Sequence, residues 1–173
     1  KDVRTREYIT PVRIMWQQDS EQITGIENLL RPGKGQADLT NQYMSVWKGS
    51  KGKRPAILVD FGKEMHGGIQ LVTGMPASHS PVHVSEAMCD IDGKNGATND
   101  HAMRDMIVEV PWLGVTETGN SGFRFARIDL LDDTLDLHLK EIRAISIYRD
   151  IPYKGSFICN DQRLNEIWKT GAY

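Results

Sequence analysis

The chain has 173 residues, enough for one sizeable domain that buries about 70% of the surface its unfolded form exposes. Lys+Arg total 21 and Asp+Glu 23, a formal net charge of −2, so there is no broad basic field for nucleic acid or an anionic membrane surface. No apolar stretch approaches the length of a membrane-spanning helix, and the two cysteines, Cys89 and Cys159, have neither CxxC nor metal-ligand spacing, which leaves free thiols and one disulfide both open.

Taken in chain order, Val12, Ile14 and Trp16 alternate with Arg13 and Met15, which predicts a half-buried strand after Pro11. Ile23, Ile26, Leu29 and Leu30 have helix-like spacing, but Gly25 within the run and Arg31-Pro32-Gly33 after it favour a short turn or loop. Lys48, Lys51, Lys53 and Arg54, interspersed with Gly49, Ser50 and Gly52, read as a solvated loop rather than a phosphate site. Ala56–Phe61 is a continuous apolar run apart from Asp60, expected to form a strand covered on both faces and closed by Gly62. Gly67-Gly68 precedes Ile69–Thr73, and these two strands are expected to lie side by side. Val82 and Val84 open a further strand. Residues 89–105 are polar and glycine-containing and read as a long loop.

Met106, Val108, Val110 and Trp112 share one strand face, with Ile107 and Glu109 on the other. Gly122–Leu130 is a strand, and Asp132-Asp133 is expected to make a tight turn. Leu135, Leu137 and Leu139 alternate strictly with polar residues, after which the apolar phase moves to Ile142 and Ala144. A period-2 strand changes phase only through an extra residue, so a bulge or break is expected near Glu141. Asp150–Ser156 reads as a domain boundary. Asn160 then stands as an N-cap before a helix whose apolar stripe is Leu164, Ile167 and Trp168. So short an amphipathic helix is marginal alone, and its stripe is expected to require a partner lying beyond Tyr173.

Short motifs carry little chemistry. Asp60-Phe61-Gly62 spells the metal-binding triplet of kinases but lacks the accompanying catalytic loop, and a strand end with a turn glycine accounts for it. Asp90-Ile91-Asp92-Gly93 hints at a calcium loop, yet Met88 and Asn99 occupy slots that an EF-hand fills with acids; a different calcium geometry stays open. His79 and His83 flank Pro81, which forbids the helix that would converge them. His66 and His101 lie in polar loops. The densest polar cluster, Thr98–Asp105, reads equally as a site or interface loop and as a loop capping its own backbone through Asn99 and Asp100. Sugar-binding surfaces use exposed rings, for which Trp47 and Trp112 are the candidates, whereas Trp16 and Trp168 belong to packing stripes; for any single Trp, burial in a core or interface is the commoner fate.

Several blocks together resemble bacterial α-L-rhamnosidases: Leu58–Gly68, Ser85–Met88, Thr98–Asp105, Gly122–Asp129, Tyr148–Tyr153 and Ser156–Tyr173. The resemblance implies an antiparallel β-sandwich or jelly roll of the concanavalin-like kind, standing before a six-hairpin α/α barrel whose first helix begins in the segment from Cys159. It implies inverting hydrolysis of terminal α-linked L-rhamnose, with an acid and a base carboxylate about 6.5–9.5 Å apart. In that family both carboxylates lie in the barrel, so no catalytic residue maps onto this chain. The stretch between Val84 and Glu86 is shorter here than in some relatives.

The expectation is therefore an all-β accessory domain over residues 1–150, then a linker and first barrel helix over 151–173. The parent enzyme would act on rhamnose-containing carbohydrate in the periplasm or outside the cell, without a cofactor, a metal, nucleic acid or a membrane as partner. Asn99, Asp100, His101 and Arg104, with Trp47 and Trp112, are the candidate substrate contacts, and the fragment alone should be inactive. An autonomous carbohydrate-binding module and a ligand-free scaffold are the alternatives.

Overall fold

The computed structural model describes residues 2–40, 42–75, 80–89 and 105–173, with backbone alone for residues 85–89 and 105. The polar cluster Asn99, Asp100, His101 and Arg104, the Asp90–Gly93 motif and His79 lie outside the described residues.

The chain folds as an all-β antiparallel sandwich followed by one helix. Its strands are β1 (Thr5–Ile9), β2 (Arg13–Gln18), β3 (Ile23–Thr24), β4 (Ser45–Trp47), β5 (Ala56–Thr73), β6 (Val82–Cys89), β7 (Asp105–Val110), β8 (Gly114–Leu130) and β9 (Leu137–Tyr148). The helix-like spacing over residues 20–30 resolves into two 3-10 turns, Ser20–Gln22 and Ile26–Leu30, separated by β3. Gly25 lies between them at φ 67°, where a Cβ would meet the Met44 carbonyl oxygen at 2.4 Å, so no longer helix runs through.

Two long strands organise the sandwich. The first half of β5, Ala56–Asp60, lies between β2 and the second half of β8. Its second half, Gly67–Thr73, lies between the first half of β8 and β9. The two halves are thus one strand running through successive pairings, not neighbours as the glycine pair implied. The register shifts between Asp60 and Met65, and Gly62 sits there at φ 86°. Around this irregularity the sheet folds back, and inward residues from both halves form one core. Ile57 and Val59 share it with Ile69 and Leu71, Ile128 and Leu130 with Ile142 and Ala144. The outward side of the first half is covered too: Leu58 and Phe125 pack with Met15 and Trp16. The run Ala56–Phe61 is accordingly buried on both faces, as its composition required.

The phase change in β9 has the expected cause. Thr73 pairs with Leu139 and Val72 with Glu141, so Lys140 is the extra residue of a bulge. The Asp132-Asp133 turn, by contrast, does not close a hairpin. β8 and β9 are separated by β5, and the connection crosses from β6's neighbour to β4's neighbour. Asp132 serves this crossing by accepting a hydrogen bond from the His83 backbone N–H.

Residues 149–159 have no regular structure and are mostly exposed. The helix α1 spans Gln162–Ala172, and its N-cap is Asp161 rather than Asn160. The Asp161 carboxylate accepts from the backbone N–H groups of Arg163 (2.9 Å) and Leu164 (3.3 Å). Asn165 locks the approach by exchanging two 2.9 Å hydrogen bonds with the Cys159 backbone. Asp161→Ala is expected to cost about 1 kcal/mol of helix stability, read as lost helical circular dichroism at 222 nm with the sandwich melt unchanged.

Candidate functional site

The two tryptophans singled out for sugar stacking have different fates. Trp47 on β4 is 0% exposed, within the core cluster, and pairs opposite Ile23 and Leu137. Its indole N–H donates to the Ser45 hydroxyl at 2.9 Å, and that hydroxyl donates to the Thr24 carbonyl. Trp47 is therefore a core residue and presents no ring to a ligand; the glycine- and lysine-rich loop after it gave a misleading signal. Trp112 is half-buried in the turn between β7 and β8. That turn is pinned by Thr73, whose hydroxyl donates to the Pro111 carbonyl at 2.7 Å and accepts from the Gly114 N–H at 3.0 Å.

Asp60 is a buried charge held by two arginines and a backbone N–H. Its side chain is 1% exposed and receives the Arg124 guanidinium through Nε at 2.8 Å and Nη2 at 3.0 Å. Arg13 reaches it from β2 at 2.8 Å, and the Gly62 N–H donates at 2.7 Å. The Arg124 hydrogen bonds, opposed by burial and helped by Gly62 and Arg13, lower its pKa from 3.8 to about 2. The triplet's aspartate thus anchors the bend in β5, a structural task unrelated to metal binding.

A second polar row crosses the opposite half of the sandwich. Glu117 on β8, Gln70 on β5 and Arg143 on β9 stand in register. Gln70 donates to Glu117 at 2.9 Å and accepts from Arg143 Nε at 2.9 Å. Tyr8 and Arg6 of β1 reach across to Glu117, each at 3.0 Å, and the Arg143 guanidinium lies 4.4 Å over the Tyr8 ring. Burial opposes ionisation of Glu117, but the hydrogen bonds from Gln70 and Tyr8 and the Arg6 charge outweigh it and hold its pKa below the ordinary range. Every member has a partner, so this row braces four strands and has no open valence for a ligand.

Two clefts stand out on the described surface. One, of about 520 Å³, lies between residues 28–43 and Lys140 and Glu141 of the β9 bulge. Its polar groups are largely spent on each other: the Lys140 ammonium holds Asp38 and Thr40, and Glu141 accepts from the Gly35 N–H. The other, of about 460 Å³, lies where β9 gives way to residues 149–153. Lys63, Met65 and His66 from the β5 bend form one wall, Tyr148, Arg149 and Asp150 another, and Glu7, Tyr153 and Tyr173 complete it. The Tyr173 hydroxyl donates to the Glu64 carbonyl at 2.7 Å, tying the C-terminal helix to the bend. Apart from Glu7 these residues fall in the blocks noted from the sequence, but no local pattern joins them, because four distant segments meet there.

The C-terminal segment also presents an apolar surface. Ile151, Phe157 and Ile158 precede α1, and Leu164, Ile167 and Trp168 run along it; all are exposed, Ile158 at 88% and Ile167 at 59%. The stripe read from the sequence is thus real, and it stays exposed.

No family model matches the sequence, and no curated protein sequence matches it significantly. Solved structures do share the fold. A GH78 family rhamnosidase of Bacillus sp. GL1 superposes at TM-score 0.60 and 15% identity, over 83% of this chain and 14% of that one. A rhamnosidase from Klebsiella oxytoca with rhamnose bound gives TM-score 0.60 at 9% identity, over 95% and 33%. A truncated AlyQ with CBM32 and alginate lyase domains gives 0.54 at 10% identity, over 88% and 36%. The chain thus spans at most about a third of these proteins' lengths, and what it shares with them is the β-sandwich fold.

Proposed function

We propose that this chain is an accessory β-sandwich of an α-L-rhamnosidase, with residues 1–150 forming the sandwich and 151–173 leading into a helical catalytic domain. The support is the combination of a sandwich shared with two rhamnosidases and a run of exposed apolar residues over 151–173. A surface carrying Ile151, Phe157, Ile158, Leu164, Ile167 and Trp168 together is the composition of a packing face rather than of a solvated tail. The sandwich braces the catalytic domain through this face and lines the rim of its substrate cleft. The bond-breaking acid and base then belong to the neighbouring domain.

The 173-residue chain is expected to release no aglycone from an aryl α-L-rhamnoside, whereas a polypeptide extended through the helical domain does so. Turnover by the 173-residue chain above a heat-killed control overturns the assignment of catalysis to the neighbour. Failure of the extended polypeptide to cleave any rhamnoside overturns the parent activity.

A second reading, a carbohydrate-binding module acting by itself, draws on the tyrosine-lined cleft and on the likeness to the CBM32-bearing AlyQ. The two readings differ in whether residues 151–173 need a covering domain. An autonomous module is expected to keep the 173-residue chain monomeric at high concentration, whereas a sandwich lacking its covering domain is expected to self-associate through the exposed apolar residues, as read by sedimentation.

A further inference from the structure

We infer that the cleft between the β5 bend and the end of β9 is a binding subsite for a neutral pyranose. Three observations carry this. The first is aromatic: Tyr148 and Tyr153, from the end of β9 and the chain just after it, and Tyr173 from the end of α1 line one cavity of about 460 Å³, within the range of about 300–1,000 Å³ that small-ligand clefts occupy. Exposed tyrosines supply stacking area for the C–H face of a sugar ring at low conformational cost.

The second is pre-organisation. The Tyr173 hydroxyl donates to the Glu64 carbonyl at 2.7 Å, and the Tyr153 hydroxyl donates to the Ala172 carbonyl. Two of the three rings are therefore held in place through their far ends before any ligand arrives, which removes an ordering cost from binding.

The third is charge. The rim carries Lys63 and Arg149 against Glu7 and Asp150, so the charges balance and the cleft attracts neither a phosphate nor a cation. Lys63 and Glu7 are only loosely paired at 3.8 Å, and Arg149, Asp150 and His66 have no side-chain hydrogen-bond partner among the described residues. Donors and acceptors stand side by side with unused capacity. Hydroxyl groups, which donate and accept at once, are the ligand chemistry that such a rim satisfies. Three tyrosines with mixed donors and acceptors around them describe a neutral sugar better than a peptide or an anion.

The cleft is read from its own geometry; only the choice of L-rhamnose as first probe rests on the function proposed above. The test is a titration of the isotopically labelled 173-residue chain with L-rhamnose, D-glucose and D-galactose, followed through backbone amide resonances. At least one sugar is expected to shift Lys63, His66, Tyr148 and Tyr153 saturably. Tyr153→Ala and Arg149→Gln, both in exposed and irregular chain, are each expected to weaken that binding by about tenfold while leaving the thermal melt unchanged. Saturable shifts with glucose or galactose but not rhamnose uphold the subsite and count against the rhamnosidase reading. Shifts mapped to residues 28–43, or none with any of the three sugars, overturn the subsite and leave the rhamnosidase reading to its own assay.

Discussion

Trp47→Ala lowers the stability of this domain by about 3–5 kcal/mol, which is a large part of the total stability of about 5–15 kcal/mol usual for a folded domain. Two losses combine. The indole is 0% exposed, and its removal leaves a cavity between β3 and β9 that the short strands around it cannot close. The Ser45 hydroxyl, also fully buried, loses the donor it accepts from. For a chain of this size the thermal midpoint is expected to fall by about 10 °C or more. A midpoint within about 2 °C of the wild type, a shift worth under about 1 kcal/mol, would return Trp47 to the list of surface residues. Trp112→Ala, at a half-buried turn, is the control with the smaller effect.

The second large effect belongs to Asp60. Asp60→Asn is expected to cost about 2–3 kcal/mol, below the figure for a wholly buried pair because Arg13 and Arg124 both keep contact with water. The pH dependence gives a separate signature. The folded-state pKa is depressed from 3.8 to about 2, so the stabilisation is fully present above pH 3.8 and is lost as pH falls through about 2. The shift corresponds to about 1–2 kcal/mol after allowance for the solvent reach of the two guanidinium groups. Denaturant melts of the wild type between pH 5 and about pH 2, the interval over which most of the loss falls, should therefore slope more steeply than those of Asp60→Asn. Parallel slopes would show that the carboxylate is not ionised through its arginines.

The sequence disclosed what depends on local period. The runs around Ala56–Phe61, Gly122–Leu130 and Leu137–Leu139 became β5, β8 and β9, and the phase break near Glu141 became the Lys140 bulge. It failed where the answer depends on which distant strand lies alongside. Gly67-Gly68 looks like the break between two strands, but both sit inside one, and a Cβ at Gly68 would meet the Thr118 carbonyl oxygen of β8 at 2.2 Å. Asp132-Asp133 has turn chemistry, yet turn chemistry does not say whether the next strand pairs with the last. Trp47 was misjudged from the loop that follows it, since a three-residue strand gives no period from which to read burial. The helix stripe was legible because its spacing is local; the tyrosine cleft was not, because it is assembled from residues near 7, 65, 150 and 173.

The pairing of β1 with β9 has a consequence for biogenesis. Thr5 lies opposite Tyr148, and the central β5 meets its partner β9 only after every other strand has been made. During synthesis β1 leaves the ribosome with its hydrogen-bonding edge unsatisfied, and β4 and β5 each keep one edge open, until residue 148 emerges. Contacts so far apart in the chain make closure slow, so nascent chains halted before Leu137 should be protease-sensitive and should engage chaperones. The same polypeptide released a few residues past Tyr148 should collapse into its resistant form in a single step.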